Sequence, residues 1–301
     1  MLRKIRIIVL FLILTSLLLF YPGDSYYYHI FAYDKSHFLP IHGITQTSIN
    51  NIPVVSNNSL PIVSAEGIFI ADLTTFTPLF EKNINNKFYP ASTTKIITAL
   101  VATDIYKLNH IITIKHSFNE GQVMGLIAGE KISVENLLYG LLVYSGNDAA
   151  MALAEEYGID AFVIKMNEKA QQIHMKNSTF RNPSGLDDPA QMTTPKDLAL
   201  AGRELLLTSS LKHIVGTKEI VISDENYQYF HRLVNVNKLL GEFPGIGGLK
   251  TGYTELAGEN LVTFYKKNGR EYVIVILKSL DRFADTRNVV DWINQNISFI
   301  D

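Results

Sequence analysis

The sequence predicts an α/β protein of the α+β type, in which an antiparallel sheet is flanked by helices and a helical region is inserted between its strands. Three observations point there. Strand-like runs near residues 65–80 and 260–277 bracket a middle section whose apolar residues recur at three and four. Asn268-Gly269 separates two β-branched runs, the strongest short-range signal for an antiparallel hairpin. The chain of 301 residues is long enough for a sizeable core, so both ends can share one sheet.

In chain order, Arg3, Lys4 and Arg6 precede an apolar run from Ile7 to Phe20 that is broken only by Thr15 and Ser16. A basic flank before such a run reads as an export signal or a short membrane anchor over residues 1–21. The lack of an A-x-A site favours a retained anchor, and the charge bias leaves the remainder outside the cytoplasm. Residues 22–61 are rich in Tyr, Asn, Ser and His with little periodicity, and they read as an extracytoplasmic linker. His29, His37 and His42 in it fit no metal spacing.

Residues 62–301 form the predicted folded domain. Strands are expected at Ala65–Asp72 and Thr77–Phe80, and a helix from Ser92. Helical periodicity then covers Val134–Leu142, Asp148–Glu156 and Ala161–Ala170, and Thr194-Pro195 starts a further helix with a capping hydroxyl before a proline. Asn260–Tyr265 and Tyr272–Leu277 are the hairpin strands, and Asp285–Asn296 is the last helix.

Composition narrows the function. Lys plus Arg total 27 against 29 Asp plus Glu, a net charge of -2, which offers no basic field for nucleic acid. With no cysteine there is no thiolate nucleophile, disulfide or cysteine metal site. Ser92 and Lys95 stand three apart at the start of an apolar helical run, one turn from contact. Alone, the pair reads as an ordinary cap beside a solvated lysine. A serine becomes a nucleophile only beside a base, and a lysine is a base only when neutral, so the chemical reading demands partners.

Two later stretches supply them. Ser145-Gly146-Asn147 falls between the central helices, and Lys250-Thr251-Gly252 falls ahead of the hairpin. By itself the first would be a helix junction capped by Asn147, and the second a surface strand. S-x-x-K, S-G-N and K-T-G in this order make the signature of serine penicillin-recognising enzymes. The sequence resembles the low-molecular-mass penicillin-binding proteins, the D-alanyl-D-alanine carboxypeptidases of the peptidase S11 family. The likeness runs from about Ala65 to the last helix and includes Gly140–Ala150, Met166-Asn167, Asn182–Asp188 and Gly248–Thr254.

The resemblance implies the β-lactamase/transpeptidase-like fold and a role for each residue. Ser92 would attack the bond between the last two D-alanines of a peptidoglycan stem peptide. Lys95, kept neutral by burial and by the field of Lys250, would be its base. Ser145 would relay a proton to the leaving amine, and Asn147 would hold Lys95 and the substrate amide. Backbone N–H groups of Ser92 and Tyr253 would take the oxyanion, and Gly252 would clear room for the substrate backbone. Lys250 and Thr251 would bind the terminal carboxylate, although strand alternation sends them to opposite faces; they can share the task only if the strand borders the cleft. Arg282 is a weaker candidate for that carboxylate, more simply read as a solvated surface arginine. No metal or organic cofactor is required, and β-lactams would act as acylating inhibitors.

Two features depart from the family pattern. Gln191-Met192 stands where relatives often carry a histidine before the Thr-Thr pair, a difference expected to bear on loop packing. The chain ends soon after Trp292, which leaves the N-terminal segment as the expected membrane anchor. Three other readings stay open: a D,D-endopeptidase, a serine β-lactamase, and an inactive cell-wall-binding protein. Against the β-lactamase stand the S-G-N triplet and the lack of an E-x-x-L-N loop.

Overall fold

The computed structural model describes residues 9–16, 52–56 and 59–299. Most of the predicted anchor and linker, with His29, His37 and His42, lies outside the described residues. Residues 9–16 are helical, and no helix among the described residues is long and apolar enough to cross a membrane.

Five strands form the main antiparallel sheet: β2 (Gly67–Asp72), β3 (Pro78–Lys82), β8 (Ile246–Thr254), β9 (Gly258–Lys267) and β10 (Arg270–Ser279), in the order β3-β2-β10-β9-β8. Both predicted ends of the chain therefore meet in one sheet, with β2 beside β10. The β9–β10 hairpin turns at Asn268 and Gly269, with φ of 50° and 78°. Two left-handed residues make a type I′ turn, which Asn-Gly adopts at little cost and whose twist matches the strands.

One sheet face carries Phe69, Val262, Val273 and Val275 and packs against the inserted helices. These are α1 (Lys95–Ile105), α2 (Val134–Tyr139), α3 (Asn147–Tyr157), α4 (Ile159–Gln172), α5 (Pro195–Leu207) and α6 (Ser209–Val215). The other face carries Ile68, Ile70, Leu261 and Ile274 and packs against Val289, Trp292 and Ile293 of α7 (Arg282–Asn296). Burying one large aliphatic side chain is worth about 1.5–3 kcal/mol, so the two apolar faces dominate the stability of the sheet.

Several local readings shift. The predicted helix from Ser92 starts only at Lys95, after a tight 3₁₀ turn over Ala91–Thr94. The predicted helix over Val134–Leu142 breaks after Tyr139 into a π turn over Gly140–Tyr144. Thr194 caps α5 as expected and accepts from Asp197 N. The last helix starts at Arg282, three residues before the expected Asp285: Asp281 caps α7, while Asp285 is buried and accepts from Ser64 N, Ala65 N and Ser279 Oγ.

The linker assignment also ends too late. β1 (Pro53–Val55) pairs with β11 (Ile297–Phe299), and Ser59 O accepts from Trp292 Nε1 at 2.6 Å. Besides β4 (Ile111–Thr113) and β5 (Lys131–Ser133), one further hairpin has no counterpart in the sequence reading: β6 (Glu219–Ser223) with β7 (Phe230–Val234).

Candidate active site

The Ser92 turn is clamped from two sides by missing side chains. Pro90 O accepts from both Thr93 N and Thr93 Oγ1, at 3.2 and 2.6 Å, which closes the turn. Ala91 adopts φ of +48°, a left-handed state that alanine does not choose unaided. A Cβ at Gly185 would lie 2.0 Å from Ala91 O, and one at Gly252 would lie 3.1 Å from Ala91 Cβ, Pro90 O and Ser92 N. The expected reason for Gly252 was room for substrate; the structure adds that β8 must approach the nucleophile's own backbone.

The first turn of α1 brings Lys95 Nζ to three oxygens: Ser92 Oγ at 2.9 Å, Asn147 Oδ1 at 2.6 Å and Ser184 O at 2.6 Å. The side chain is fully buried, and that burial lowers its pKa to about 7, against a smaller opposing pull from the Asp148 carboxylate. A neutral amine has two protons and one lone pair. The two carbonyl oxygens can only accept, so they take both protons, and the lone pair is left facing the Ser92 hydroxyl.

Asn147 sits in the first turn of α3, where it is not a cap. Its Nδ2 donates to Glu120 O at 2.9 Å, and this fixes the amide so that Oδ1 faces the lysine. Asp148 beside it is buried and accepts from Met124 N, Gly125 N and Leu126 N, anchoring the loop that carries Glu120. Ser145 ends the π turn with φ of 70° and is buried, and that turn packs on α1 and β8. No hydrogen bond among the described residues joins Ser145 Oγ to Ser92, Lys95 or Lys250.

β8 is the edge strand of the sheet. Lys250 and Gly252 lie opposite Val262 and Asn260, on the face of the inserted helices. Thr251 lies opposite Leu261, on the α7 face. Lys250 is fully buried, and its Nζ donates to Thr251 O at 2.9 Å. Its pKa is held well below the ordinary lysine value by burial and then by the charges of Lys95 and Arg282. Burial is thus the main cause at both lysines, as expected for Lys95, and the repulsion between the two buried cations adds to it.

Arg282 is no solvated surface arginine. Its Nη1 donates to Gly252 O at 2.9 Å, its Nε is buried without a hydrogen-bond partner, and burial lowers its pKa. Glu259 Oε2 lies 4.0 Å from that Nε. Tyr253, next along β8, is exposed.

Sequence reasoning missed Ser184, because its contribution is a backbone carbonyl. Its loop is braced by Gln191, whose buried amide accepts from Arg181 N and Asn182 N and donates to Leu186 O. The departure at Gln191-Met192 therefore falls in loop packing, as expected, but in the loop that orients the lysine.

Residues 54–280 match the family model of peptidase S11, described as D-alanyl-D-alanine carboxypeptidase. A D-alanyl-D-alanine carboxypeptidase of Bacillus subtilis is 34% identical over 221 residues, covering 70% of this chain and 57% of the relative. Another, from Mycobacterium tuberculosis, is 33% identical, covering 72% of this chain and 75% of the relative. The solved structure of a Streptomyces DD-transpeptidase mutant superposes with a TM-score of 0.73 at 28% identity, covering 77% of this chain and 98% of that one.

Proposed function

The chain belongs to the peptidase S11 family, and from that premise we propose that it is a serine D-alanyl-D-alanine carboxypeptidase acting on peptidoglycan stem peptides through an acyl-enzyme at Ser92. The observation that carries the reading is the fully buried Lys95 amine, held by two carbonyl oxygens within hydrogen-bond distance of Ser92 Oγ.

Ser92 Oγ attacks the penultimate D-alanine carbonyl while its proton passes to Lys95 Nζ. The oxyanion lies between the N–H groups of Ser92 and Tyr253, which the close approach of β8 at Gly252 supports. The proton held by Lys95 passes by way of Ser145 Oγ to the departing D-alanine nitrogen as its bond to the carbonyl breaks. A water that gives one proton to the again neutral Lys95 then attacks the ester, the proton returning to Ser92 Oγ as the acyl group leaves. Lys250 and Arg282 are two cations whose burial and mutual repulsion a carboxylate at the β8 edge would relieve, and Thr251 faces the same edge. That pairing supports a substrate with a free C-terminus over a cross-link. A penicillin, which carries a carboxylate beside a strained amide, would acylate the same serine. Such a substrate places the domain outside the cytoplasm, with the cytoplasmic membrane held through the N-terminal segment.

The full chain, kept in solution with mild detergent, should bind fluorescent penicillin covalently and release D-alanine from a D-Ala-D-Ala peptide, and Ser92→Ala should do neither. Rapid penicillin hydrolysis would instead make the protein a β-lactamase, and labelling without D-alanine release would favour an endopeptidase. Because a structural neighbour is a DD-transpeptidase, the assay repeated with an amino acceptor separates hydrolysis from transfer.

The lysine also sets a pH dependence. Only neutral Lys95 can take the serine proton, so the acylation rate should rise about tenfold per pH unit below about 7 and level off above it. Penicillin acylation followed from pH 5 to 9 checks this, and a flat profile would remove Lys95 as the base.

A further inference from the structure

Asn260 is fully buried on β9, directly opposite Gly252, and none of the roles above uses it. Its Nδ2 donates to Tyr89 O at 2.9 Å and to Pro90 O at 3.2 Å, while its Oδ1 accepts from Lys278 N at 2.8 Å. The orientation of the amide is unambiguous, because a backbone N–H can only donate and a carbonyl can only accept. Tyr89 and Pro90 lead into Ala91, whose left-handed backbone needs outside support, and into Ser92. Lys278 lies where the register of β10 against β9 shifts, between Ile276 and Ser279.

We infer that Asn260 is a positioning residue for the nucleophile: its side-chain amide ties the Tyr89 and Pro90 carbonyls, and through them the backbone of Ser92, to the sheet where Gly252 leaves room. The inference rests on Ser92 acting as proposed above. Asn260 makes no hydrogen bond to Lys250, Thr251 or Arg282, so its work is on bond formation and not on holding the substrate carboxylate. A nucleophile displaced by a fraction of an ångström still binds substrate but reacts slowly.

Asn260→Asp tests this with little change of volume. The variant keeps an oxygen acceptor for Lys278 N and loses the amide donor that faces the two carbonyls, and Asn260→Ala, made beside it, removes that donor without adding an acid. In the full chain, acylation by fluorescent penicillin should fall by about 10- to 100-fold. The affinity for a D-Ala-D-Ala peptide, measured by calorimetry in the Ser92→Ala background, should stay within about threefold, since lost positioning is paid at the reacting atoms and not in uniform binding. Asn260→Ala is read in the same way if the aspartate variant fails to fold. A folded variant acylated within about twofold of the parent overturns the inference, and so does an affinity that falls as far as the acylation rate. A parent chain that takes no label overturns the serine-enzyme reading beneath it; a labelled parent beside an equally labelled variant overturns the inference alone.

Discussion

Replacing Lys95 by methionine should lower acylation by about 10³-fold or more while leaving a folded protein. Methionine fills nearly the same volume, so the core around α1 stays packed, but no lone pair faces Ser92 Oγ. The variant also carries a stability signature. Lys95 titrates near 7 in the folded protein, lowered from 10.5. Between those two values the unfolded chain holds a proton that the folded protein does not, so this group makes the parent gain stability as pH rises from 7 towards 10. Methionine contributes nothing there. Thermal unfolding of the two proteins across this range should therefore show the difference moving steadily in the parent's favour. An unchanged difference would mean that Lys95 keeps its proton in the folded state, and the general-base proposal would go with it.

Gly185→Ala should be the most damaging single-methyl change near the site. The new Cβ would meet Ala91 O at 2.0 Å and Ala91 C at 2.5 Å, and the residue sits at φ of +88°. Both obstacles are backbone, which no rotamer change relieves. Overpacking at about 1–3 kcal/mol and a left-handed alanine at about 1–2 kcal/mol add to about 3 kcal/mol. In a domain of this size that lowers the melting temperature by about 6–12 °C. Gly269→Ala is the control, because its φ is +78° but nothing lies within 4 Å of its Cβ, so it carries the conformational cost alone. The loop that moves also carries Ser184 O, one of the two acceptors that orient Lys95. Acylation at a temperature where Gly185→Ala is fully folded should therefore fall by about 100-fold, with Gly269→Ala unaffected. Equal melting temperatures for the two variants would show that the 183–186 loop yields easily and does not clamp the serine.

The chemistry was legible in the sequence because its signals are short, ordered and covalently fixed. Ser92 and Lys95 are one turn apart whatever surrounds them, and Asn268-Gly269 turns a hairpin through its own backbone preferences. The β6–β7 hairpin was illegible for a matching reason. Val221 and Phe230 point outward at 58% and 63% exposure, so its apolar residues do not mark one face and the alternation that reveals a half-buried strand is broken. The β1 strand is three residues long and exists by pairing with Ile297–Phe299, more than 240 residues away, which no local pattern announces.

By itself the sequence determined which side chains can do chemistry and which classes of chemistry are excluded, because side-chain identity and spacing need no fold. Tertiary structure alone decided whether Lys95 could be a base. Burial removes water from the amine, and the Ser184 carbonyl, 89 residues away and invisible as a side chain, helps to turn its lone pair towards Ser92. Arg282 shows the same division: its type and place were in the sequence, while its burial against Gly252 O came from the packing of α7 on the sheet.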